Sequence, residues 1–377
     1  MQQIYLDYNA TTPVDPEVFD AMRPFFTEHF GNPSSSYSLG SVCREAIEDA
    51  RNRIAALLGS QSDEIYFTGG GTESNNIAIK GTLLQAEKQQ GHLVTSCFEH
   101  PAVSEPARFH SENGGTVSRV GCDTNGMIDA DSIKKELNEE TRLVSIMHAN
   151  NEIGTVQPIR EISELCRDQE VVFHTDAAQS VGKVRVKVDE LGVDLLTLAG
   201  HKIYGPKGIG VLYIRHGTEI TPPVHGANHE RGIRPGTENV PYIVGLGVAA
   251  KKCSEHLADS ERKLRSFRDQ LESILMREIQ GLMINGGNAP RLPNTTSIIF
   301  PDVNAGNLLK RLPELCVSTG AACHSHTVEL SDTLKGIGLT AVQGSGTLRI
   351  SCGRMTQEKE ITTAANLLIS AWESTRE

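Results

Sequence analysis

Between about residue 63 and residue 215 the chain alternates short β-branched apolar runs with helical stretches, which restricts the fold to βαβ units around a largely parallel sheet. Candidate strands are 64–68, 92–96, 143–147, 171–176, 194–198 and 210–214. In a sheet of this kind the strands deliver their carboxyl ends to one shared ligand crevice. Ahead of them Ser41 to Leu58 reads as an amphipathic helix, with Ala46, Ala50, Ile54 and Leu57 or Leu58 on one face and Gly59 as its stop.

A chain of 377 residues exceeds what one hydrophobic core organises, so two domains are expected. After residue 240 the texture changes. A long helical pattern from Tyr242 to Ile279 leads into the loop signal Asn285-Gly-Gly-Asn-Ala-Pro290, then strands at 296–300 and 347–350, and a closing helix with Thr356 as its expected cap. The expected division is a large domain over 14–252 and a smaller α+β domain from 1–13 and 253–377.

Composition excludes several classes. A net charge of −11 argues against nucleic acid, which needs a basic face. No apolar run reaches membrane-spanning length, and the N-terminus enters strand-like sequence without a basic leader, so a cytoplasmic protein that does not bind membranes is expected. Eight cysteines at 43, 97, 122, 166, 253, 316, 323 and 352 lack Cys-x-x-Cys spacing, which points away from zinc ribbons and disulfide frameworks.

The strand ends carry the chemistry. The first runs into Thr68-Gly-Gly-Gly-Thr-Glu-Ser-Asn-Asn76 and a helix expected over 77–86; glycines admit close approach, and amides at a helix start suit a phosphate. The second delivers Glu99-His100, an imidazole able to stack on a flat ring, and the third His148-Ala-Asn-Asn-Glu152. The fourth ends at Asp176 with Gln179 beyond it, and a carboxylate there pairs with a protonated pyridine nitrogen. The fifth ends in Gly200-His-Lys-Ile-Tyr-Gly-Pro-Lys-Gly208. Lys202, shedding water in the crevice, becomes a nucleophilic amine for an aldehyde cofactor held as a Schiff base, pyridoxal phosphate (PLP). Lys207 shares the same turn, and its Pro206 and Gly208 neighbours give it the look of a turn residue.

Cys323 lies in Thr319-Gly-Ala-Ala-Cys-His-Ser-His326, among small and polar residues rather than core apolars. The segment, about 317–332, reads as a mobile loop whose Thr319, Gly320, Ala321 and Ala322 offer little surface to anchor. His324 and His326 favour a thiolate at Cys323. The three side chains do not make a complete zinc set, and no metal site is expected.

With these residues assembled, the chain resembles the cysteine desulfurases of the NifS/IscS family, class V of the fold-type I PLP enzymes. The likeness rests on Tyr5-Leu-Asp-Tyr-Asn-Ala-Thr-Thr-Pro13, Gly31-Asn-Pro-Ser34, Gly71-Thr-Glu-Ser74, Glu99-His100, His148-Ala-Asn-Asn-Glu-Ile-Gly154, His174-Thr-Asp-Ala-Ala-Gln179, the Lys202 segment and His229-Glu-Arg-Gly-Ile-Arg-Pro-Gly-Thr-Glu238. It implies that Lys202 holds PLP, His100 stacks on it, Asp176 pairs with its ring nitrogen and Gln179 touches its ring oxygen. Gly71, Thr72 and His201 would grip the phosphate, joined by Thr237 from the other subunit of a homodimer. Asn151 would contact cofactor or substrate, Asn32 and Arg349 would bind the substrate carboxylate, and Cys323 would accept sulfur. The implied reaction takes L-cysteine to L-alanine and passes a persulfide to an acceptor such as an iron-sulfur scaffold or a sulfur carrier. Ala199 departs from the family, standing where many relatives carry a serine. Ala322-Cys-His-Ser325 and Arg234-Pro-Gly-Thr-Glu-Asn239 resemble selenocysteine lyases, making L-selenocysteine the alternative substrate. An aminotransferase and a silent scaffold on the same fold complete the readings.

Overall fold

The computed structural model describes residues 3–85, 91–324 and 327–376, with side chains for all of these except 321–324, 327–329 and 376. Seven strands form the main sheet: β2 (Ile65–Thr68), β3 (His92–Ser96), β4 (Thr116–Val120), β5 (Thr141–Ser145), β6 (Val172–Asp176), β7 (Leu195–Ala199) and β8 (Gly210–Ile214). Their order is β2-β8-β7-β6-β5-β3-β4. β8 runs antiparallel to both its neighbours, and β3 to β7 are mutually parallel.

Successive strand residues point to opposite faces, and this sheet buries both. Leu196, Leu198, Val211 and Tyr213 pack into one core with Ile47, Ile54 and Leu58 of the helix Ser38–Leu58. Their neighbours Leu195, Leu212 and Ile214 pack on the opposite side with Ile77 and Ala78 of the helix Gly71–Leu83. Helices therefore cover the sheet from both sides, the expected α/β architecture. Gly59 ends Ser38–Leu58 in the left-handed conformation at φ 72°, as its sequence position signals.

A second core joins Ile4 and Leu6 to Leu271, Leu275, Ile298, Ile350 and Leu368. It is built on an antiparallel sheet in the order β12 (Ser318–Thr319), β15 (Thr347–Ser351), β10 (Thr295–Ile299), β9 (Met283–Ile284). β1 (Ile4–Tyr5) pairs in parallel with β11 (Leu315–Cys316). The helix Val240–Glu278, 39 residues long, serves both cores. Val240, Ile243 and Leu246 face the first, and Leu264, Phe267 and Leu271 the second. No helix among the described residues is long and apolar enough to cross a membrane.

Three local expectations change. The helix expected from Ile77 begins at Gly71, because Gly70 at φ 143° turns the chain in a region open mainly to glycine and the following residues are already helical. Thr356 does not cap the closing helix, which spans Glu358–Arg376; its hydroxyl accepts the Gly353 N–H at 2.9 Å. The cysteine segment is a hairpin, β13 (Ala321–His324) against β14 (Thr327–Leu330), with Cys323 opposite Val328. Gly320, read as a source of freedom, is buried, donates its N–H to Thr347 O at 2.9 Å, and a β-carbon there would lie 2.8 Å from Leu334 Cδ1. It is a packing glycine.

Candidate active site

At the carboxyl ends of the strands lies a cavity of about 330 Å³ lined by Gly71, Thr72, His100, Asn151, Asp176, Gln179, His201 and Lys202. A larger cavity, about 530 Å³, opens at the other end beside Thr141, Val172 and Asp194. The smaller one gathers His100, Asp176, His201 and Lys202 and occupies the ligand end of a parallel sheet. Of the two lysines in the fifth turn, Lys202 lines it and Lys207 is exposed.

Lys202 Nζ donates to the carbonyls of Asn9 at 2.5 Å and Ala10 at 2.8 Å. Burial, reinforced by the Arg349 charge and opposed by Asp176 and Asp7, lowers its pKa to about 8. His100 caps the helix Pro101–Glu112, its Nδ1 accepting the Ala102 N–H at 3.1 Å. That bond fixes the ring, and desolvation in the cavity, opposed by the Asp176 charge, lowers its pKa. Asp176 accepts Asn75 Nδ2 on one oxygen at 2.7 Å and the Ala178 N–H on the other at 2.9 Å. His201 Nδ1 lies 3.1 Å from Thr11 Oγ1, and burial takes its pKa down to about 4.

Three expected substrate and phosphate residues do not line this cavity. Arg349 stands on β15 with its fork turned to Asp7 Oδ1 at 2.8 Å, Ser318 Oγ at 2.9 Å and Asn151 O at 3.2 Å, while its buried Nε has no partner. Asn32 and Thr237 are exposed on the chain surface. The Cys323 hairpin is rooted beside the cavity on both sides: Ser318 touches Arg349, and beyond the hairpin Ser331 Oγ donates to Glu152 Oε2 at 2.6 Å. The Cys323 and His324 side chains and the residue His326 lie outside what the structure describes.

Sequence reasoning missed the group that holds the site together. Asn9 O accepts Gln179 Nε2 at 2.9 Å as well as Lys202, and Asn9 Oδ1 accepts Lys183 Nζ at 2.9 Å. Asn9 Nδ2 donates to Asn151 O at 3.1 Å and Thr295 Oγ1 at 2.8 Å. Lys183 also donates to Gln179 Oε1 at 2.7 Å. Lys183 thus holds the Gln179 carbonyl while Asn9 O holds its NH₂, which fixes the orientation of the amide. Lys183 is buried, and desolvation followed by the Lys202 and Arg349 charges depresses its pKa. Its spacing from Gln179, i to i+4, was the one signal in the sequence. Glu99 was named only beside His100. It is buried with its pKa pushed up to about 8, and its Oε1 accepts Ser96 Oγ at 2.7 Å and the Met147 N–H at 2.9 Å.

These residues fit PLP. Helix-start amides at Gly71 and Thr72 lack intrahelical acceptors, a carboxylate and a depressed lysine face one cavity, and the buried Asn75 Oδ1 and His148 Nδ1 are unpartnered among protein atoms. A β-carbon on Gly71 would come within 3.4 Å of Ala199 Cβ, so a serine hydroxyl at 199 would stand beside the Gly71 helix start. Ala199→Ser should lower the PLP dissociation constant of the apo protein by roughly tenfold, one hydrogen bond to a charged group. Unchanged affinity in an equilibrium titration would place the phosphate elsewhere.

An α/β sheet delivering a nucleophilic lysine opposite an aspartate defines a PLP-dependent enzyme of fold type I. The chain belongs to the aminotransferase class-V family, whose match spans residues 4–363, and within it to the cysteine desulfurases. It is 43% identical over 369 residues to the cysteine desulfurase IscS of Dictyoglomus turgidum, covering 97% of this chain and 94% of that one. A solved NifS-like protein superposes with a TM-score of 0.91 at 35% identity, covering 99% of each chain. SspA in complex with cysteine superposes at 0.81 with 36% identity, covering 92% of this chain and 98% of that one.

Proposed function

We propose that this chain is a homodimeric, cytoplasmic, PLP-dependent cysteine desulfurase that converts L-cysteine to L-alanine and leaves the sulfur as a persulfide on Cys323. The observation that carries the reading is the convergence of Lys202, Asp176, Gln179 and His100 on one cavity beside the roots of the Cys323 hairpin. The cofactor, when bound, supplies an electron sink for bonds at the carbon bearing the amino group. Lys202 holds it and then moves the α-proton, His100 stacks on its ring, and Gly71, Thr72 and His201 grip its phosphate. Asp176 fixes its ring nitrogen and Gln179 its ring oxygen. Arg349 and Asn32 take the substrate carboxylate, with Asn151 beside them; for Arg349 this means exchanging Asp7 for the substrate.

Cys323 thiolate attacks the substrate sulfur. An S–S bond forms, the C–S bond breaks with its electron pair going to the carbon fragment, and that fragment takes up a proton at the carbon that lost sulfur and regains the α-proton from Lys202 to become alanine. The hairpin moves outward to deliver the persulfide to an acceptor, an iron-sulfur scaffold or sulfur-carrier protein. Mass spectrometry after incubation with L-cysteine should find one added sulfur on the peptide carrying Cys323, and Cys323→Ala should lose it along with on the order of 10³-fold in alanine formation. Sulfur mapped to Cys316 or Cys352 refutes the assignment; for Cys352 burial already pushes the thiol up to about 12. Faster turnover of L-selenocysteine would reassign the substrate.

The homodimer has its own support. Phe26, Phe30, Tyr37, Leu39 and Val42 are exposed and bracket Asn32, an apolar concentration that monomers seldom leave in water. A partner covering this face would bring Thr237 to the site it does not reach in its own chain. Sedimentation equilibrium should give twice the 40.9 kDa chain mass, and a monomer of full activity would overturn the reading.

A further inference from the structure

The chemistry proposed for Lys202 and Cys323 uses no other cysteine, yet two of them stand together. β3 and β4 run in register from His92 opposite Thr116 to Ser96 opposite Val120, and the Cys97 N–H continues the ladder to Val120 O at 3.0 Å. Only Gly121 separates that carbonyl from Cys122. Both residues are half-buried, and each thiol shifts the titration of the other. A β-carbon built on Gly336 would lie 3.3 Å from Cys97 Sγ and 3.6 Å from Cys122 Sγ, so both sulfurs border the same side of that glycine. Cys43, Cys166, Cys253 and Cys352 are buried instead, and burial pushes the Cys166 and Cys253 thiols up to about 12 and about 11.

We propose that Cys97 and Cys122 form a peroxide-reactive dithiol, a modification site at which a hydroperoxide oxidises the pair to a disulfide. Strands in one sheet lie about 4.8 Å apart, within the Cα spacing a disulfide spans, and both sulfurs lie within 3.6 Å of one point beside Gly336. The neighbouring Cys122 thiol, opposed by burial, brings Cys97 down to about 7, while Cys97 in turn drives Cys122 up. Cys97 is therefore the attacking thiolate and Cys122 the resolving thiol. Cys97 sulfur attacks a peroxide oxygen, the O–O bond breaks, and with hydrogen peroxide the leaving hydroxide takes up a proton as water. Cys122 sulfur then displaces the new hydroxyl from Cys97 as a second water, closing the S–S bond. Two thiols give up two hydrogens and two electrons, and the peroxide is reduced to two waters. The bond would tie the end of β3, three residues before His100, to the end of β4, beneath the helix Asp332–Gly336 that follows the Cys323 hairpin.

The full-length holoenzyme, reduced and desalted, is treated with a few equivalents of hydrogen peroxide, blocked with N-ethylmaleimide and mapped by trypsin without reductant. Arg108 and Arg119 place the two cysteines on separate peptides. The expected product is a Cys97–Cys122 linked pair, lighter by two hydrogens than the two thiol peptides and released by dithiothreitol. Cys122→Ser should convert it to a dimedone-trapped sulfenic acid on Cys97, whereas Cys97→Ser should leave Cys122 untagged. Recovery of both wild-type peptides fully alkylated, at a dose that oxidises other thiols, overturns the proposal. So does either cysteine linked to a different partner, or dimedone on Cys122 in Cys97→Ser.

Discussion

Lys202→Ala is expected to give a folded protein that no longer traps PLP covalently on borohydride reduction and forms alanine on the order of 10³–10⁴-fold more slowly, since it loses both the cofactor's anchor and the group that moves the proton. The lysine is prepared for both tasks by where it sits. At a pKa of about 8, about a fifth of it is neutral at pH 7.4, against about a thousandth for a solvated lysine near 10.4. The direction follows from the reacting species: the neutral amine attacks the aldehyde, so PLP capture by the apo protein rises with pH and levels off above the midpoint. Stopped-flow capture rates should show that midpoint near 8. A midpoint near 10 would mean that burial does not tune this amine, and trapping elsewhere in the wild-type chain would dismantle the site.

Glu230→Ala should destabilise the fold by about 3–5 kcal/mol, the usual cost of removing one partner of a buried ion pair. Arg51 and Glu230 have side chains only 4% and 3% exposed and meet in a two-pronged pair at 2.8 and 2.9 Å. Glu230 also accepts the Phe67 N–H at 2.7 Å, and Arg51 donates to Ile65 O at 2.7 Å, so the pair ties a loop to β2. That loop holds Glu230 and Arg231 at φ 44° and 53°, left-handed values that non-glycine residues adopt only where surroundings enforce them. It leads to Thr237. Chemical denaturation measures the loss, and Arg51→Met combined with Glu230→Met should recover a substantial part of it. A single variant within about 1 kcal/mol of wild type would show the pair to be dispensable.

The interior of the sheet was readable because parallel strands buried on both faces are apolar throughout; Leu195-Leu-Thr-Leu-Ala199 and Gly210-Val-Leu-Tyr-Ile214 announce themselves. β4 went unread because Thr116-Val-Ser-Arg-Val120 lies at an edge and only Val120 is fully buried. The crevice residues were legible where a residue type is unusual at a strand end, as with Asp176 and Lys202. Lys183 and Asn9 were not, because nothing in a sequence marks a lysine as buried; their roles appear only when the N-terminal segment is laid across the strand ends. The cysteine hairpin was mistaken for irregular loop because its small residues hid a pairing that Thr327-Val-Glu-Leu330 supplies from the other side.

The position of Asn9 also bears on the order in which the molecule is completed during synthesis. Its N–H donates to Ser351 Oγ at 3.0 Å across a separation of 342 residues, and its amide NH₂ reaches Thr295 across 286. A nascent chain emerging from the ribosome must therefore keep Asn9 waiting until Ser351 has appeared. The residue whose carbonyl accepts Lys202 is thus fully held only once the smaller sheet has formed, and a product truncated before Thr295, however well its central sheet has formed, lacks that clasp.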